Sequence, residues 1–128
     1  MSRAIRIHEH GGPEVLKLDN VPIPEPGPGQ TLIRNKAAGV NFIDLRQRAG
    51  RYPLPKLPVT LGMEGAGLAW YTRSRAELIE RASELIGMVA TGDIVVPVRQ
   101  QFFLEDAADA HRALEGRSTV GGSILVVK

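Results

Sequence analysis

The chain is 128 residues long, 43% hydrophobic and 23% charged, the composition of one folded domain and not of a disordered segment. Cysteine is absent, which excludes a disulfide framework, a thiolate zinc site, an iron–sulfur cluster and a cysteine nucleophile. Sixteen basic residues against fourteen acidic leave a net charge of +2, mixed along the chain, so the clustered basic face that nucleic acid requires is not expected.

Ala4 to His8 alternates apolar and polar residues, the period of a half-buried strand. Gly11-Gly12-Pro13 marks a turn, and Val15 to Leu18 reads as a second strand. Pro22, Pro24, Pro26 and Pro28 make an extended loop, because proline lacks the N–H a helix needs. Thr31 to Val40 reads as a third strand with a bend near Gly39. Asn41 can cap a short helix that runs through Ala49 and stops at Gly50. Tyr52 to Pro58 is proline-rich loop, and Val59 to Leu68 reads as a strand interrupted by glycines.

Ser74-Arg75-Ala76-Glu77 fits a capping box. Leu78, Ile79, Ala82, Leu85, Ile86 and Val89 then recur at helical spacing, with Gly92 as the stop. Ile94 to Phe103 reads as a strand whose Pro97 demands an edge or a bulge. Glu105 and Asp106 open a second helix to about Leu114, and Ser123 to Val127 is a short apolar strand. No apolar run approaches the ~18 residues of a membrane span. Met1 to Ile5 lead straight into polar residues, so no signal peptide is expected, and a cytoplasmic location follows as the expectation.

Few chemical motifs are present. Gly62-Met63-Glu64-Gly65-Ala66-Gly67 has its glycines in the wrong order for the dinucleotide fingerprint, and reads as close backbone approach in a bent strand. There is no Walker A sequence and no G-x-S-x-G elbow. His8 and His10 fall on one face of the first strand as a surface pair, and His111 reads as a packed helix histidine. Asp106 and Asp109 read as solvated capping charges.

One stretch is specific. Gly39-Val40-Asn41-Phe42-Ile43-Asp44, then Arg48-Ala49-Gly50-Arg51-Tyr52-Pro53, then Gly62 to Gly67, resembles the zeta-crystallin-type quinone oxidoreductases of the medium-chain dehydrogenase/reductase superfamily. His10 to Leu16 is similar to their opening strands, and Arg75 to Val127, with Leu104 to Arg112 and Gly116-Arg117, is similar to their final segment. The resemblance implies a mainly β, α+β fold with added helices: a GroES-like partial barrel without a Rossmann domain. It implies a single catalytic-type domain over 1–128, joining an N-terminal segment (1–67) to a C-terminal one (about 71–128).

In that family the part between these segments carries the NADPH-binding Rossmann domain. Its glycine-rich turn, its basic phosphate holders and its parallel strands are expected to have no counterpart here. The resemblance therefore implies an NADPH-dependent quinone oxidoreductase whose catalytic domain alone binds NADP(H) weakly and turns over little. The alternative is a non-catalytic binding or scaffold domain acting through its exposed docking face.

Zinc-dependent relatives carry cysteine where Asn41 stands and histidine where Met63 stands, so the resemblance implies no zinc. It places Asn41 and Tyr52 in the nicotinamide and quinone cleft with Asp44 nearby, and lets Arg117 reach the cofactor. From the residues alone, Asn41 is equally a helix cap, Asp44 a dipole partner, Tyr52 loop packing and Arg117 a surface charge. Unpaired strand edges and a bare docking face imply a homo-oligomer. Gly92-Asp93-Ile94-Val95 resembles a strand start of the absent barrel portion, so Ile94–Val98 is expected to pair beside Val59–Leu68.

Overall fold

The computed structural model describes residues 1–28, 30, 32, 34–54, 56–62 and 75–127, apart from the side chains of Arg75, Glu77, Leu78 and Arg81. Among these residues the strands form two three-stranded sheets. The first pairs β1 (Ser2–Ile7) with β2 (Leu16–Val21) on one side and β4 (Val59–Thr60) on the other, all antiparallel. The second places β6 (Gly122–Val126) between β3 (Ala37–Gly39), antiparallel, and β5 (Val98–Phe103), parallel. The helices are α1 (Phe42–Arg48), α2 (Arg75–Thr91) and α3 (Ala107–Glu115).

The local signals explain most of these elements. Ile5 and Ile7, two residues apart on β1, turn inward together. Asn41 caps α1 with Asp44 in a capping box, the Asn41 N–H donating to Asp44 Oδ2 at 2.9 Å. At the other end of α1, the Gly50 N–H reaches Gln47 O (3.2 Å) and the Arg51 N–H reaches Arg46 O (2.8 Å). That is a Schellman ending, and Gly50 supplies its left-handed residue at φ 73°. A Cβ there would also press on the His10 ring at 3.1 Å.

Several expectations are corrected. The third strand is Ala37–Gly39 and not Thr31–Val40: β6 offers partners only as far as Val126, and the Val127 N–H to Lys36 O bond (3.0 Å) closes the ladder. Thr31 and Ile33 lie outside the described residues, as do Met63 to Leu68 of the glycine-interrupted strand. The described part of that strand is Val59–Thr60, entered from Pro58 and left before Gly62, whose φ is 116°. Ser74 of the expected capping box also lies outside the described residues.

Ile94 to Pro97 forms no strand, and Val98 pairs with Gly122 in the second sheet instead of beside β4. Proline has no N–H to give a ladder, so β5 begins after Pro97, on a sheet edge, with a register shift between Val98 and Gln100. The Pro97 carbonyl still accepts the Gly122 N–H at 2.8 Å. β5, α3 and β6 make one βαβ crossover, with β5 parallel to β6. His8 and His10 lie beyond β1, not on it. His8 Nε2 bonds Asp19 Oδ2 at 2.8 Å, and His10 Nδ1–H donates to the Gln47 and Arg48 carbonyls at 3.2 Å each.

The core gathers Ile5, Val40, Leu45, Leu104, Ala107, Ala110, Leu114 and Leu125, with Leu16 and Phe102 packed against it. Ala107, Ala110 and Leu114 form one stripe of α3 at helical spacing. Arg48 is 2% exposed. Its Nε–H donates to Gly11 O (3.1 Å), one terminal N–H donates to His111 Nδ1 (3.1 Å), and the other donates to Glu115 Oε1. The Gly11 N–H returns a bond to Arg48 O at 3.1 Å. One guanidinium thus joins the loop after β1 to α1 and α3.

Because arginine only donates, the Nδ1 of His111 must be an unprotonated acceptor. Burial first, then the Arg48 charge, lowers its pKa from 6.5 to about 4, with Glu115 opposing.

α2 behaves differently. The helix forms as its periodicity predicts, but Ile79, Leu85, Ile86 and Val89 are all exposed, as is Met88. Its apolar stripe faces solvent, and the apolar run continues through the exposed Val95 and Val96.

Two outcomes follow for stability. Replacing Arg48→Ala strands Glu115, His111 and the Gly11 carbonyl at once, and should cost roughly 3 kcal/mol or more in urea unfolding. His111 carries less proton in the folded chain than in the unfolded one between pH 6.5 and about 4, so its stabilising contribution is complete above that window and is lost as pH falls through it. The loss amounts to about 3 kcal/mol. Urea titrations stepped through that window should show the slope in the wild type and a shallower one in His111→Gln.

Candidate functional site

The expected cleft residues do not converge on one point. Asn41 and Asp44 sit together at the start of α1, held by their capping box, and Asp44 is 2% exposed. Tyr52 lies beyond the other end of the same helix, with its backbone N–H on Arg46 O at 3.2 Å and its side chain exposed. Arg117 follows α3 and lines a surface pocket that neither Asn41, Asp44 nor Tyr52 reaches.

That pocket has a volume of about 410 Å³. α1 and its Schellman turn supply Phe42, Leu45, Arg46, Arg48, Ala49 and Arg51. The end of α3 supplies Glu115 and Arg117, and the loop after β1 adds Gly11 and Gly12. Four arginines therefore meet one carboxylate. The pairing is already decided, because Glu115 is bonded by the buried Arg48. Arg46, Arg51 and Arg117 are exposed and have no carboxylate partner among the described residues.

The sequence reading chose Arg117 and missed Arg46 and Arg51. Their spacing carries no usable signal. Arg46 and Arg48 are two apart on a helix and so point to different sides, one to the pocket surface and one to the core. Only the packing of α1 on α3 reveals which is which.

The pocket's chemistry is that of binding. Donors and positive charge line it, its one carboxylate, Glu115, is bonded by Arg48, and His111 is buried, neutral and occupied with Arg48. Among the described residues no three His, Asp or Glu side chains group as metal ligands, and no helix is long and apolar enough to cross a membrane.

The βαβ crossover offers a dinucleotide no grip. The turn from β5 into α3 is Leu104-Glu105-Asp106, a 3-10 turn with a buried leucine, two carboxylates and no glycine. A pyrophosphate needs close backbone approach and positive charge at that point, and meets the opposite. The chain's described residues do not fit the dinucleotide there.

Comparison with known proteins places this geometry. The alcohol dehydrogenase GroES-like domain family matches residues 27–118. A quinone oxidoreductase of Pseudomonas aeruginosa is 49% identical over 67 residues, which are 52% of this chain and 21% of that protein. The chain thus spans about a fifth of the length of that relative. The native structure of a mycobacterial quinone oxidoreductase superposes with a TM-score of 0.81 at 16% identity, covering 97% of this chain and 99% of that one. An Escherichia coli quinone oxidoreductase, solved complexed with NADPH, gives a TM-score of 0.78 at 16% identity over 98% of this chain and 100% of that one. At 16% identity these two likenesses speak to the fold, a small α+β domain of the GroES-like kind. With well over half of its length matched and the same fold found in solved structures, the chain belongs to the alcohol dehydrogenase GroES-like domain family.

Proposed function

We propose that this chain is the catalytic-domain part of an NADPH-dependent, zinc-independent quinone oxidoreductase, with little or no turnover by itself. The likeness in sequence to quinone oxidoreductases is the observation that supports it most. Segments 1–67 and about 71–128 form its single domain, and a family match that runs unbroken from residue 27 to 118 supports reading it as one domain. Asn41, Asp44 and Tyr52 are its cleft residues on the acceptor side, and Arg117 reaches towards the cofactor. A capping box that ties Asn41 to Asp44 supports a fixed cleft wall at the head of α1. It also gives the Asn41 position work other than metal binding, in keeping with zinc independence. The protein works in the cytoplasm.

Hydride transfer needs the nicotinamide held against the acceptor, and an error of ~1 Å can cost a hundredfold. NADPH would supply the hydride, while protein residues supply grip and orientation. At the turn Leu104-Glu105-Asp106, two carboxylates and the absence of glycine disfavour a pyrophosphate. A second reading, a binding or scaffold domain without turnover, is favoured by the bare apolar stripe of α2. Either reading expects copies to associate through that stripe.

Titrating NADPH into the purified chain with a benzoquinone acceptor should give weak, unsaturated binding and oxidation near background. Tight one-to-one capture with brisk turnover would overturn the proposal, and saturable quinone binding without oxidation would favour the second reading. Sedimentation at high protein concentration should show a dimer or larger species, shifted towards monomer by Ile86→Glu. A clean monomer of the wild-type chain removes the association.

A further inference from the structure

We propose that β2 is a pairing edge for a second copy of this chain, antiparallel and centred on Leu18, so that two three-stranded sheets join into one of six strands. The proposal stands apart from the quinone reductase reading and from the stripe of α2.

The backbone of the edge comes first. Among the described residues the first sheet ends at β2, which pairs with β1 alone. An edge strand presents N–H and C=O groups that a further strand can take up. Proline and bulges blunt such edges, and β5 shows both, beginning after Pro97 with a register shift between Val98 and Gln100. β2 shows neither: its register on β1 runs unbroken from Leu16 to Val21.

The side chains choose the partner. On one face of the sheet, Lys17 stands directly opposite Arg6, a like-charge pair that disfavours the hairpin as it is. Arg6 has Asp19 at 3.7 Å, but Lys17 has no ion-pair partner among the described residues. Both contacts of Asp19, with Arg6 and with His8, fall on Oδ2, which leaves Oδ1 for another donor. A two-fold axis through Leu18 sets the partner's Asp19 opposite Lys17, and Asp19 opposite the partner's Lys17. On the other face, Leu18 lies opposite the buried Ile5 and is still 42% exposed, because the sheet stops there. The same axis covers it with the partner's Leu18.

Charge also rejects the neighbouring registers. Centring the pair on residue 17 sets lysine against lysine, and centring it on residue 19 sets aspartate against aspartate. The surface is therefore complementary to itself in one register, which is what a closed two-fold contact requires.

Sedimentation of the full chain carrying Ile86→Glu, which breaks the α2 stripe, tests this contact by itself. That chain should retain a concentration-dependent dimer. Adding Lys17→Glu or Asp19→Lys should weaken the dimer about tenfold. An equimolar mixture of the two variants should regain it, because their altered charges are complementary across the axis, and a folding defect would not be repaired by mixing. The chain has no cysteine, so a single thiol reports the register. In the Ile86→Glu background, Leu18→Cys should oxidise to a disulfide dimer about tenfold faster than Asn20→Cys, whose two positions the same register holds roughly 14 Å apart. A monomer at every concentration leaves the edge to a strand of some other chain and overturns the proposal. So would a mixture no tighter than its parts, or equal oxidation of the two cysteine variants.

Discussion

A single buried guanidinium organises this fold. Arg48 is 2% exposed and gives its donors to two other parts of the chain, the loop after β1 and α3. Its partners Gly11, His111 and Glu115 lie 37, 63 and 67 residues away in sequence. A charge in such a place is tolerated only when its donors are satisfied, so the three segments can assemble only in the arrangement that satisfies them. Burying the charge contributes geometric definition more than net stability. The same constraint keeps His111 neutral, since an imidazolium could not accept from a guanidinium.

The pocket is a consequence of that tie. By drawing the end of α1 to the end of α3 and consuming Glu115, Arg48 leaves the neighbouring arginines on one pocket without a carboxylate partner among the described residues. Buried and exposed charge are thus separated along one short helix and its end. Arg48 points inward, while Arg46 and Arg51 face the solvent side of the same surface.

The rest of the chain divides by how it buries its apolar residues. The two sheets, α1 and α3 share one core. α2 turns its own stripe to solvent, which is how a docking helix looks without its partner surface. The chain covers about a fifth of the length of its curated relative, and a helix with an unmatched face is consistent with that proportion.

The amino-acid sequence by itself determined the local devices: the inward pair on β1, the Asn41 cap, the Gly50 stop, the helical spacing of α2, the acidic start of the last helix, and the edge position that Pro97 demands. Each depends on a few neighbouring residues and on the steric rules of the backbone, so short windows suffice. Strand lengths were less legible, because a strand ends where its partner does, and the partner of Ala37–Gly39 lies near the far end of the chain. The parallel pairing of β5 with β6 and the burial of Arg48 were decided only by the tertiary structure. So were the grouping of Arg46, Arg51 and Arg117 and the bare face of α2. All of these turn on contacts between distant segments, and nothing in the residue type of an arginine says whether its charge will meet water, a carboxylate or a pocket.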